Sequence, residues 1–102
     1  MTNITEKNFG TFILKGSTFL FLYSPRVLNS LFIEKDLKDL EKIYTQFNFG
    51  RVNIDQERAL AIKLQLTVVP AFYLFKNNGI LVDSRSGVLQ RSQLEAFIKG
   101  HI

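Results

Sequence analysis

A chain of 102 residues, 46% of them hydrophobic, with a formal net charge of +4, has the size and apolar content of one folded domain. It contains no cysteine, which excludes disulfides, thiolate metal sites and any thiol redox centre of its own. Basic residues are interspersed with acidic ones, no apolar run reaches the length of a membrane span, and the opening MTNITEKNFG lacks a basic stretch followed by an apolar one. The expectation is therefore no nucleic-acid partner, no membrane partner and a cytoplasmic location.

Residues 2–4 allow a short strand. Residues 5–15 then read as a helix, with Thr5 as N-cap, Phe9, Phe12 and Ile13 at helical spacing, and Gly16 as the stop. Thr18–Tyr23 is a continuous apolar, β-favouring run, the pattern of a strand covered on both faces, and Ser24-Pro25 ends it. A long helix is predicted over 26–47. Its stripe Ile33, Leu37, Leu40, Tyr44 and Phe47 faces the core, and Glu34, Lys35, Lys38, Asp39 and Lys42 lie on other faces.

Residues 49–54 form a further strand. Asp55 is the natural N-cap of a helix over 56–65 that turns Ala59, Ile62 and Leu66 to one side. Residues 71–75 read as a second strand buried on both faces. Asn77-Asn78-Gly79 is a hairpin signal, because Asn and Gly accept positive φ, and residues 80–84 pair back. Gly87 breaks that strand, and a last helix near 91–100 places Leu94, Phe97 and Ile98 on one face.

The order is (β)αβαβα–ββα. The early βαβ unit requires a parallel pair with a right-handed crossover, and the late hairpin adds an antiparallel pair. The fold class is thus α/β, a single domain over 1–102. A mixed sheet of four or five strands is flanked by about four helices, with strands 18–23 and 71–75 as the central pair.

Few side chains are candidates for chemistry. His101, the sole imidazole, sits next to the last residue and is expected to be a frayed surface group; no metal or cofactor is expected. Ser30 has no His or Lys beside it in the motif to act as base, so no catalytic residue is assigned. Arg26 reads as a solvated charge near a helix start, or else as a contact to an acidic partner. Asn29 and Ser30 are expected to satisfy first-turn backbone N–H groups.

The order of elements and several local motifs resemble the thioredoxin family. Phe19-Leu20-Phe21-Leu22-Tyr23-Ser24-Pro25 resembles the strand that leads into that family's Cys-x-x-Cys. Val52-Asn53-Ile54-Asp55 resembles the following strand and its exit, and Val68-Val69-Pro70-Ala71-Phe72-Tyr73-Leu74-Phe75 the stretch that carries a cis-proline. Lys76-Asn77-Asn78-Gly79 resembles its hairpin, here one residue longer. Gly87 and Gln93-Leu94-Glu95-Ala96-Phe97-Ile98 resemble its last glycine and helix. On this alignment Val27-Leu28-Asn29-Ser30 stands where the redox motif would be. Phe21 falls where many members bury a proton-shuttling Asp, and Lys35 where a proline often kinks the long helix.

The resemblance implies a cis bond at Val69-Pro70 and a partner-binding groove formed by Arg26, Val27, Leu28, Val69, Pro70 and Gly87. It also implies a redox-inactive binding or chaperone-like module acting on a protein or peptide segment, with a homodimer possible. Disulfide exchange needs a thiolate, and neither Val27 nor Ser30 supplies one. A different outcome would be a structural or assembly protein that self-associates through a helix or edge strand.

Overall fold

The computed structural model describes residues 1–102. The elements run β1 (Thr2–Asn3), α1 (Phe9–Phe12), β2 (Thr18–Tyr23), α2 (Ser30–Ile43), β3 (Asn48–Asn53), α3 (Arg58–Lys63), β4 (Ala71–Lys76), β5 (Ile80–Ser86) and α4 (Arg91–Lys99). They form one five-stranded mixed sheet in the order β1-β3-β2-β4-β5, with β3 parallel to β1 and β2, and β4 antiparallel to β2 and β5. The two strands apolar throughout are neighbours in the middle of this sheet, as their composition requires.

Alternation along β2 distributes the core. Phe19 and Phe21 point to one face, where they join Ile33, Leu37 and Leu40 of α2 and Leu94, Phe97 and Ile98 of α4. Leu20 and Leu22 point to the other, with Phe9 and Phe12 of α1 and Leu60 of α3. Gly50 lies beneath the second cluster: a Cβ there would stand 2.7 Å from Ile4 Cγ1 and 2.9 Å from Phe12 Cε2. The hairpin turn puts Asn77, Asn78 and Gly79 at positive φ, and Gly87 leaves β5 at φ 89°.

Several expectations are corrected. The first helix is one turn, Phe9–Phe12. Thr5 does not cap it; the Thr5 N–H donates to Asn8 Oδ1 at 2.7 Å, so residues before Phe9 are spent on turns. The long helix spans Ser30–Ile43, shorter at both ends than 26–47, although all five residues of its stripe are buried. Asp55 is not a cap. The N-cap of α3 is Glu57, and the helix buries Leu60 while Ile62 is 77% exposed and Ala59 lies outside too. Alternation at the start of so short a helix did not reveal which side meets the sheet.

His101 is not frayed. Its Nε2 lies 2.8 Å from Asp83 Oδ2, its ring meets the edge of Phe97, and its carbonyl accepts from Lys76 Nζ. The Asp83 carboxyl is held below the usual carboxylate range, first by His101 and then by Arg85 and the Ser84 N–H, against the opposing effect of burial.

Candidate functional site

Strand register gathers the residues singled out from the sequence at one end of the sheet. Leu22 pairs with Ala71, and Ala71 with Ser86, while Tyr23 pairs with Asn53. The turns that follow β2, precede β4 and follow β5 therefore emerge together. They carry residues 24–29, Val69-Pro70 and Gly87. The Gly87 N–H donates to the Pro70 carbonyl at 2.8 Å, which ties two of the three turns.

The turn after β2 is built around Ser24, a residue the sequence reading passed over. Its carbonyl accepts from the Val27 N–H at 3.0 Å and from the Ser30 hydroxyl at 2.9 Å. Its own hydroxyl donates to Asp55 Oδ2 at 2.8 Å. Asp55 also accepts from Arg26, through Nε at 3.2 Å and Nη2 at 2.9 Å. A fork of this kind matches a carboxylate in geometry. The Arg26 guanidinium, followed by the Ser24 hydroxyl, lowers the Asp55 carboxyl below its ordinary range. Arg26 is a solvated charge, its side chain 81% exposed, and its guanidinium is engaged by Asp55 rather than by an acidic partner, closing the turn against the end of β3. The available signal was the matched ends of two adjacent parallel strands, which place Ser24 and Asp55 side by side.

Asn29 makes no side-chain cap at the start of α2, and Ser30, only 5% exposed, spends its hydroxyl on the Ser24 carbonyl rather than on a helix N–H. A hydroxyl donating to a carbonyl, with no base beside it, is not a nucleophile. The sole imidazole belongs to the Asp83–Phe97 cluster.

The fully buried Phe21 stacks on Phe72 at 5.7 Å and on Tyr23 at 5.1 Å. Arg51, opposite Phe21 on β3, is neutralised from α2 by Glu34 and donates to Asn3 Oδ1 at 2.6 Å. Strand β2 thus carries aromatic packing and no ionisable group at that point.

Around the turn the surface is apolar and open. The Val69-Pro70 bond is cis. Val69 is half-buried, Pro70 buried, Val27 half-buried and Leu28 87% exposed. Neither the N–H nor the carbonyl of Val69 has a hydrogen-bond partner within the chain. Leu31 and Phe32, on the first turn of α2, are also exposed, 77% and 72%. Two concavities flank these residues, one of about 240 Å³ between Tyr23, Pro25, Leu31 and Arg51 and one of about 160 Å³ between Val68, Ala71 and Ser86, but Val27, Leu28, Val69, Pro70 and Gly87 line neither and present a shallow face rather than a pocket.

The model of the thioredoxin family matches residues 1–100. Among solved structures, a thioredoxin of Plasmodium falciparum shares 22% identity with a TM-score of 0.93, with all of both chains covered. Mitochondrial thioredoxin 3 of Saccharomyces cerevisiae, in its oxidised form, shares 22% with a TM-score of 0.89, covering 98% of this chain and 94% of that one. A solution structure of the oxidised P. falciparum thioredoxin shares 21% with a TM-score of 0.90, covering 99% and 97%. At such identity the likeness to these structures is one of fold. No curated protein matches the chain.

Proposed function

The chain belongs to the thioredoxin family, and from that premise we propose that it is a redox-inactive member, not a thiol-disulfide oxidoreductase, that binds an extended protein or peptide segment. The surface is the one made by Val27, Leu28, Val69, Pro70 and Gly87, with Arg26 at its rim as a closure of the turn. One observation carries the reading: Val69 presents an N–H and a carbonyl that nothing in the chain uses, beside an exposed Leu28. An extended segment would pair with those two groups as a strand pairs with a sheet edge, and its side chains would cover Leu28 and Val27. Thiol exchange is set aside because the chain has no thiol to attack or leave.

The test is an amide-shift titration with a library of extended peptides. Saturable shifts at Leu28, Val69 and Gly87, and an affinity at least tenfold weaker in Val69→Asp, are expected. Binding unchanged in Val69→Asp would end the proposal. An insulin-reduction assay is expected to show no turnover.

A second reading has its own observation. Leu28 just before α2 and Leu31 and Phe32 on its first turn are all large apolar side chains left exposed, and a cluster of such residues marks an interaction surface. Self-association through α2 would cover it. Concentration-dependent sedimentation abolished by Phe32→Asp and untouched by Val69→Asp would select this reading over the first.

A further inference from the structure

The roomiest concavity of the molecule is remote from that surface in the fold: a cleft of about 560 Å³ between α1 and α3, on the face of the sheet opposite α2 and α4. Its volume falls within the range of small-molecule sites, about 300–1,000 Å³. Two small residues open it. Gly10 of α1 and Ala59 of α3 both line it, and a Cβ built on Gly10 would meet nothing within 4 Å. Phe9 and Leu60, rooted in the core beneath, form the floor, and Leu14, 54% exposed, forms an apolar wall.

Three charges stand at the rim: Lys7, Lys63 and Glu6. None of them is in a salt bridge. The Lys63 ammonium lies 5.7 Å from the centroid of the Phe9 ring, directly above the floor. Among the lining side chains two cations face one carboxylate, and the neighbouring Glu57 carboxylate is occupied by the Glu6 N–H at 2.9 Å, so the two ammoniums are the groups open to an anion beside the apolar trough.

We propose that this cleft binds a small amphiphilic monoanion, a carboxylate or sulfonate carried on an aliphatic or compact aromatic body. The body displaces water from Phe9, Leu14 and Leu60. The head group pairs with the Lys63 and Lys7 ammoniums, whose attraction for it is strengthened by the low-dielectric wall beside them. A macromolecular partner fits less well, since the cleft is lined by 9 residues and a stable protein interface uses about 20–30 on each side.

Decanoate, below its micelle concentration, is a suitable probe, with decyltrimethylammonium as the same body bearing the opposite charge. Decanoate is expected to give saturable amide shifts at Gly10, Thr11 and Ala59, and the cation none there. The double variant Lys7→Gln/Lys63→Gln should weaken decanoate by about fivefold to tenfold, as the loss of two exposed ion pairs implies. Gly10→Leu fills the open space with a side chain and should abolish binding while the thermal midpoint holds or rises. The proposal is overturned by any of four results: no saturable shift, shifts centred instead on Leu28 and Phe32, equal binding of the cation, or an unchanged decanoate affinity in a folded Gly10→Leu.

Discussion

Replacing Phe21 tests the account of why the region next to the vanished redox motif is apolar. The side chain is fully buried in the middle of β2, between Phe72 on β4 and Arg51 on β3. Its ring stacks within 10° of parallel on Phe72. Phe21→Ala removes that packing and leaves a cavity, at a cost of about 3–5 kcal/mol. With a urea slope near the lower end of the usual ~1–3 kcal/mol/M, the unfolding midpoint falls by roughly 2–4 M. Phe21→Asp loses the same packing and also buries a carboxyl whose nearest cation across the strand, Arg51, is already committed to Glu34 and Asn3. Desolvation raises the pKa of such a carboxyl in the folded state above its unfolded value near 3.9. A raised folded pKa means that the native state holds the proton longer. The aspartate variant is therefore closest to the alanine variant at about pH 4, and it loses further stability as pH climbs through the folded pKa. Urea unfolding followed by circular dichroism at pH 4.5 and pH 8 measures both. If Phe21→Asp at pH 8 stayed within about 1 kcal/mol of the unaltered protein, well below the ~3–5 kcal/mol expected from lost packing alone, the strand would still be built for a carboxylate and not for aromatic packing.

Three other outcomes are expected. Tyr44 donates its hydroxyl to Glu95 Oε2 at 2.5 Å, and this bond, with burial and the carboxylate's charge, pushes its pKa up to about 12. Ultraviolet titration should show one of the three tyrosines ionising late, the stabilising bond being complete below about pH 10 and lost as pH rises through 12; Glu95→Gln should bring that titration down. The depressed Asp83 carboxyl contributes stability above its unfolded pKa, near 3.9, and that contribution disappears as pH falls through the lower folded value. Asp83→Asn should thus flatten the acid limb of the stability–pH curve, and a limb of unchanged steepness would count against the His101–Asp83 latch. The double variant Val27→Cys/Ser30→Cys should gain at most feeble insulin-reducing activity. It breaks the Ser30–Ser24 bond and lacks a proton-accepting group at Phe21, a deficiency of about a hundredfold or more in rate; turnover equal to an ordinary thioredoxin would refute the view that the region is built for packing.

Much of the fold was legible because its signals are local. Thr18–Tyr23 is the predicted strand residue for residue, since an unbroken apolar run between Gly16 and Pro25 admits little else. The Asn77-Asn78-Gly79 turn and the Leu94, Phe97 and Ile98 face of α4 follow from turn chemistry and helical period. Short elements were the ones misjudged. A one-turn α1 and a six-residue α3 carry too few periods for the pattern to identify the buried side, which is how Ile62 was expected inward and is found outward.

By itself the sequence determined the order of strands and helices, the resemblance of its motifs to the family's, and that no thiol chemistry can be its own, because periodicity, local motifs and the absence of cysteine are properties of the chain read along its length. Only the tertiary structure decided where the charges and free backbone groups go. Arg26 meets Asp55 across 29 residues, and His101 meets Asp83 across 18. Val69 keeps both backbone groups unpaired while Pro70 is tied to Gly87. Such pairings depend on which strand ends the sheet register brings side by side, a long-range outcome of packing that no window of neighbouring residues encodes.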